Sequence, residues 1–299
     1  MTLTTTPVRT ATYRPFAVRL VARQQLSPGF LRLTFTGADL GECGTTCLDQ
    51  RVKLVLADQE QVATALASGE DWYGWWLALD DDRRPPMRTY TVRAVRPELA
   101  EVDVDFACHG TEGPASAFAV DAPIGSPLLL VGPDAGVPGS DEVGFAWRPG
   151  TATEVVLVGD ETAVPAICGI MERLPGHVTG RVLLEVPTDA DALDLVAPAG
   201  VGVTWLARDG RPHGEVLEQA VREWAGVALP QPVAPVGEVA EVAPEDVLWE
   251  EADAAGGRYV WVAGEAGLVA TIRRHLVKER GLDRHSASFM GYWRAGRAG

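Results

Sequence analysis

The chain has 299 residues, enough for two ordinary domains or one large one, and its 46% apolar content allows sizeable cores. No apolar run approaches the roughly eighteen residues a membrane-crossing helix needs. A formal net charge of −15 excludes a general nucleic-acid binder, whose phosphate partner requires a basic surface; an anionic substrate would need a local basic patch.

Residues 1–15 are threonine-rich with scattered arginines and no hydrophobic stretch, so a mobile lead-in is expected here, with no signal peptide and a cytoplasmic location. From Phe16 to Val131 short alternating runs are separated by turns: Phe16–Val21, Phe30–Thr36, Arg51–Leu56, Arg88–Val95, Val102–Cys108 and Pro127–Val131. Six such strands predict a closed antiparallel β-barrel, which removes exposed edges. Ala115–Val120 reads as a short helix whose start would face phosphates.

The grammar changes near Thr153, giving expected domains at 16–150 and 151–299. Glu154–Val158 is a β-branched run of the kind a buried parallel strand shows, followed by a helix over Ala163–Leu174. Strands at Val182–Val186, Val201–Leu206, Tyr259–Val262 and Ser288–Trp293 alternate with helices at His213–Trp224 and Glu265–Arg280. This is an α/β layer with a parallel sheet. Residues 226–257 are Pro-, Ala-, Val- and Glu-rich and read as a mobile acidic insertion within the second domain. Cys43 and Cys47 have a CxxxC spacing, but no second ligand pair lies nearby and histidine is scarce, so buried thiols are expected in place of a zinc site.

Two segments carry chemistry. Arg88-Thr89-Tyr90-Thr91 sets an arginine and a tyrosine at i and i+2, on one strand face, and His109-Gly110-Thr111-Glu112-Gly113-Pro114-Ala115-Ser116 follows as a glycine-rich turn. Together they suit a flavin nucleotide: a cation and backbone N–H groups for the pyrophosphate, an aromatic face for the rings, and a hydroxyl for the ring edge. Later, Val158-Gly159-Asp160-Glu161-Thr162-Ala163 places a tight turn between strand and helix, a usual seat for a nucleotide phosphate. It lacks G-x-G-x-x-G, and two carboxylates there should repel a pyrophosphate. The alternative is that Asp160 and Thr162 cap the helix start.

These segments, with Trp261-Val262-Ala263-Gly264-Glu265 and Gly291-Tyr292-Trp293-Arg294-Ala295-Gly296, resemble the siderophore-interacting protein family of ferric-siderophore reductases in the ferredoxin-reductase superfamily. The resemblance runs in order along nearly the whole chain outside the lead-in and the insertion. It implies an FAD-binding barrel and a nicotinamide-binding α/β domain. It assigns Arg88, Thr89, Tyr90, Thr91, Arg93, His109, Gly113, Ala115 and Ser116 to FAD, and Asp160, Thr162, Gly264 and Glu265 to the nicotinamide side. It also implies an anionic ferric chelate held by basic residues, with Lys53 and Arg294 at matching positions and Arg51 able to join if it shares Lys53's face. Where the family commonly has Gly-Pro-Arg-Gly, this chain has Gly132-Pro133-Asp134-Ala135-Gly136, which exchanges a positive charge for a negative one.

The implied reaction passes electrons from NADH or NADPH through the flavin to Fe(III), and needs no strict catalytic acid; His109 is expected to tune the flavin. Thr188-Asp189-Ala190-Asp191, after the second parallel strand, suits a ribose 2′-OH and so favours NADH, with Arg208 the residue that would admit NADPH. Ferredoxin is disfavoured as donor for so acidic a chain. A flavin oxidoreductase with another acceptor, and a siderophore carrier without cofactor, are the competing readings.

Overall fold

The computed structural model describes residues 11–44, 46–108, 110, 113–229, 248–253 and 256–296. Contacts divide them into two compact units, the first carrying an antiparallel barrel and the second a parallel sheet, with Gln25–Leu31 grouped in the second. Strands β1 (Tyr13–Ser27), β2 (Phe30–Thr36), β3 (Arg51–Val55), β4 (Met87–Arg96), β5 (Glu101–Ala107) and β6 (Pro127–Pro133) close in the order β1-β2-β5-β4-β3-β6. Alternation drives closure: Phe16, Val18, Leu20, Leu33, Phe35, Val52, Leu54, Leu128 and Leu130 are all buried. The barrel is the expected one.

Two features of this unit differ from the sequence expectation. Strand β1 begins at Tyr13, inside the stretch read as a lead-in, because Tyr13–Arg19 pairs antiparallel with Pro127–Pro133. The β3–β4 connection holds two helices, α1 (Gln59–Ala67) and α2 (Trp72–Ala78). Asp58 starts α1 through a reciprocal capping box with Gln61. Val62, Ala65 and Trp72 then pack with Val55, Leu129 and Val131, covering part of the outer barrel face. One further helix, α3 (Pro114–Asp121), follows β5.

The second unit has strands β7 (Glu154–Gly159), β8 (Thr179–Val186), β9 (Val201–Ala207), β10 (Trp249–Glu250), β11 (Arg258–Glu265) and β12 (Ala287–Trp293) in the order β10-β12-β11-β7-β8-β9. All neighbours are parallel except the short β10, which runs antiparallel to β12. Helix α4 (Val164–Arg173) follows β7, α5 (Glu215–Ala228) follows β9, and α6 (Ala266–Arg273) follows β11. Leu217, Val221 and Trp224 of α5 and Val269 and Ile272 of α6 share a core with Val158, Leu183, Val262 and Phe289 of the sheet. The single helix expected to reach Arg280 changes to π-type winding over Arg274–Glu279. Helix α5 runs through Ala228 and Trp249–Glu250 pairs with β12; of the insertion expected at 226–257, residues 230–247 and 254–255 lie outside the described residues. No helix among the described residues is long and apolar enough to cross a membrane, and the four cysteines are thiols.

Candidate functional site

In the barrel unit, β4 changes partner halfway along: Met87–Thr91 pairs with β3, whereas Val92–Arg96 pairs with β5. The Arg88–Thr91 segment therefore projects past the β5 ladder. Arg88 and Tyr90 stand opposite Leu54 and Val52, whereas Thr89 and Thr91 stand opposite Lys53 and Arg51. Strand alternation thus sorts the motif into two faces. Arg88 and Tyr90, both half-buried, share one face, and one Arg88 N–H donates to the Met87 carbonyl at 2.9 Å. The other face carries two cations and two hydroxyls, those of Arg51, Lys53, Thr89 and Thr91.

Arg51 and Lys53 do point to the same side. Arg51 Nε donates to the Gly144 carbonyl at 3.2 Å, the Tyr13 hydroxyl donates to the Arg51 carbonyl at 2.8 Å, and Lys53 Nζ lies 3.4 Å from Thr89 Oγ1. Partial burial, then the charge of Arg51, lowers the Lys53 pKa. Asp134 does not oppose them. Its carboxylate is fully buried, 3.1 Å from Arg14 Nε, and accepts from the Gly136 N–H at 3.0 Å. Arg93 is 3.6 Å from the buried Asp105, which also holds Arg32 through contacts of 2.7 and 2.8 Å. Its guanidinium is thus part of an ion-pair network of the barrel wall.

Antiparallel pairing returns β5 toward the Arg88 end of β4, where the glycine turn and α3 begin. His109 lies outside the described residues. Helix α3 has Gly113 as N-cap with no side-chain cap, Pro114 at the position where a missing N–H matters least, and then Ala115 (buried) and Ser116 (half-buried). A Cβ placed at Gly110 or Gly113 would meet nothing within 4 Å, so the backbone at these two glycines is open to a phosphate. Arginine, tyrosine face and uncapped helix start fit the donor set that a flavin dinucleotide requires.

In the second unit the structure gathers Asp160, Thr162, Gly264 and Glu265. Asp160 Oδ1 accepts from Thr162 N at 2.9 Å and Thr162 Oγ1 at 2.5 Å, while Oδ2 accepts from Glu265 N at 2.8 Å and Trp293 Nε1 at 2.9 Å. A Cβ on Gly264, whose φ is +150°, would come within 2.8 Å of that carboxylate, so only glycine fits there. Glu265 caps α6 by accepting from Leu268 N at 2.8 Å and reaches Ala295 N at 3.3 Å. Glu161 is held by Arg208 through contacts of 2.6 and 2.9 Å, and the same arginine meets Glu185 at 3.2 Å. Both carboxylates of the turn are thus turned inward and matched by donors, which removes the repulsion expected toward a pyrophosphate. Neither serves as the N-cap of α4, whose N-cap Ala163 has no side-chain partner.

The residues chosen to discriminate the donor are differently employed. Asp191 is buried and accepts from Ser27 Oγ at 2.8 Å, Gly29 N at 2.6 Å and Thr188 Oγ1 at 2.8 Å; only Asp189 of that pair is exposed. Arg208 is committed to Glu161 and Glu185. Sequence reasoning missed Glu161, Glu185, His213 and Trp293 as members of this cluster. The available signal was position: each sits at or just beyond the carboxyl end of a parallel strand, and a parallel sheet brings those ends to one edge.

Comparison with known proteins now decides the family. A model described as the siderophore-interacting FAD-binding domain matches residues 19–137, and one described as siderophore-interacting protein matches residues 152–296. An uncharacterised protein of Mycobacterium tuberculosis is 31% identical over 286 residues, covering 94% of this chain and 90% of the relative. The chain belongs to the siderophore-interacting protein family. Its first unit is the family's FAD-binding domain, and FAD is its cofactor. Ferric vibriobactin reductase ViuB of Vibrio cholerae is 28% identical over 283 residues, covering 95% of this chain and 90% of that protein. The siderophore-interacting protein SipS from Aeromonas hydrophila superposes with a TM-score of 0.67 at 30% identity, covering 96% and 94% of the two chains. A ferredoxin reductase of carbazole 1,9a-dioxygenase, at 13% identity, TM-score 0.58 and coverage of 96% and 71%, shares the fold.

Proposed function

We propose that this protein reduces Fe(III) in an anionic siderophore chelate with electrons from NADH or NADPH, releasing Fe(II) in the cytoplasm. The observation that carries the reading is the Arg51–Lys53 cation pair on one face of β3, in a chain whose net charge is −15. Such a pair is the local basic patch an anionic chelate needs. Similarity to ferric vibriobactin reductase over almost the whole length supports it.

Bound FAD supplies the exchange between a two-electron hydride donor and one-electron acceptors, so one reduced nicotinamide serves two ferric ions. The chain supplies position and field. Arg88 would neutralise the pyrophosphate, Tyr90 would offer its face to the ring system, and the Ala115 and Ser116 N–H groups at the start of α3 would be available to phosphate oxygens. Lys53 and Arg51 hold the chelate by charge. The turn Gly159–Thr162 and the Gly264–Glu265 segment receive the donor, with Asp160 holding their backbones together. Fe(II) is the weaker acid toward hard oxygen donors, so reduction loosens the chelate.

The test is anaerobic turnover of the purified flavoprotein with NADH or NADPH and ferric catecholate or hydroxamate chelates, followed with a ferrous-specific trap. Protein-dependent Fe(II) formation is expected with at least one chelate. Flavin reduction without any iron-dependent turnover would instead favour an oxidoreductase with another acceptor, and purification without flavin would favour a carrier.

A further inference from the structure

Two adjacent carboxylates, Asp160 and Glu161, are buried in one turn, and Arg208 covers only Glu161. The basic side chain beside Asp160 is His213, whose Nε2 lies 3.2 Å from Asp160 Oδ2 and 3.8 Å from Glu161 Oε2. The first contact has ion-pair distance for a protonated imidazole but is out of line for a hydrogen bond. The imidazole also meets the Trp293 indole edge-on, with ring centres 5.2 Å apart at 81°. Trp293 Nε1 donates to that same Asp160 oxygen. His213 is fixed from behind by Gly214, whose φ of +84° and N–H contact of 2.7 Å to Glu185 set the bend before α5. One oxygen therefore joins the turn after β7, the segment before α5 and the end of β12, where Arg294 follows.

We propose that His213 is a positioning residue for the donor-facing turn: its imidazole locks Gly159–Thr162 to the carboxyl-terminal strand through Asp160 and Trp293. The role in donor binding rests on the function proposed above; the lock itself does not. The charged groups acting on His213 are Asp160 and Glu161 after β7 and Glu185 of β8, with Arg208 after β9 bound to both glutamates. Burial pulls the imidazole pKa down, but contact with Asp160 and the charges of Asp160, Glu161 and Glu185 outweigh it and raise the pKa. A raised value means the lock is complete below the unfolded pKa of about 6.5 and is lost as pH rises through the higher folded value. A metal ion fits the Asp160, Glu161 and His213 group poorly, because the carboxylate oxygens already accept from N–H and O–H donors.

The experiment uses the ¹⁵N-labelled holoprotein, with the Trp293 indole N–H signal identified by its loss in W293F. In the wild type this signal moves with pH in one transition centred above about 6.5. The transition vanishes in H213Q, which keeps a neutral donor, and in H213A. In flavin reduction by NADH, the wild-type KM rises about tenfold across the same window, while H213Q gives a pH-flat KM and H213A a high KM throughout, with flavin content unchanged. An indole signal that is flat in the wild type, or that titrates unchanged in H213Q or H213A, overturns the lock, and the first needs no variant to fold. Loss of the indole transition without any change in the pH profile of KM overturns the link to the donor. A wild-type protein whose flavin neither nucleotide reduces defeats the functional reading, and the indole titration still decides the lock.

Discussion

Arg51 and Lys53 stand two residues apart on β3, and burial together with the charge of Arg51 makes the Lys53 charge harder to sustain. That repulsion is relieved when an anion binds, so the pair stores part of its binding free energy in the empty state. Replacing Lys53 with alanine is expected to weaken a ferric chelate about tenfold, or about 1.4 kcal/mol, and to leave flavin content unchanged. Titrating chelate against flavin fluorescence measures both; flavin loss would show that Lys53 belongs to the cofactor. Arg88→Ala is expected to act in the opposite way and shed FAD, since a charge-assisted contact of about 1.5–3 kcal/mol disappears. Flavin absorbance per protein after gel filtration gives the answer. Asp134, by contrast, stands in the sequence as a negative charge where the family commonly has an arginine. Its partner Arg14 is 120 positions away along the chain, so nothing local announced that the carboxylate would be buried.

At the scale of elements, alternation and β-branched runs made the six barrel strands and the parallel strands legible, because those patterns report burial directly. Helices α1 and α2 were not legible: nine and seven residues are too short for a helical period to emerge, and four of the seven in α2 are Trp or Tyr. The candidate site was legible as segments and not as partnerships. Glu161 meets Arg208 at a separation of 47 residues and Asp160 meets Trp293 at 133, distances that only the parallel sheet closes. Arg208 shows the consequence, since its place after β9 suggested a nucleotide phosphate and its guanidinium instead ties β7 to β8. Arg208→Ala is expected to cost about 3–5 kcal/mol, because it leaves Glu161 and Glu185 buried without their cation. Urea unfolding should show that loss, with the NADH to NADPH preference of the folded fraction unchanged. A selective loss of NADPH turnover would return Arg208 to the donor site.

The whole molecule carries −15 while its proposed substrate and its donor are both anions, so long-range and short-range fields have opposite signs. At about 0.01 M salt the Debye length is about 30 Å, comparable with a domain, and an approaching anion feels the full negative charge. At about 0.15 M it falls to about 8 Å, and only the charges beside the binding face act, here Arg51 and Lys53. The association rate of a ferric chelate should therefore rise over that range, then fall toward 1 M salt, where a Debye length of about 3 Å screens the local pair as well. Stopped-flow quenching of flavin fluorescence resolves the curve. In Lys53→Ala the rise should remain, because the net charge is only one unit more negative, while the later fall flattens. A wild-type rate that decreases from the lowest salt onward would mean that the basic face governs encounter even at long range. The same field acts against any acidic protein donor, and this is the physical ground on which a nicotinamide, small enough to enter the range where local charges dominate, is the better electron source.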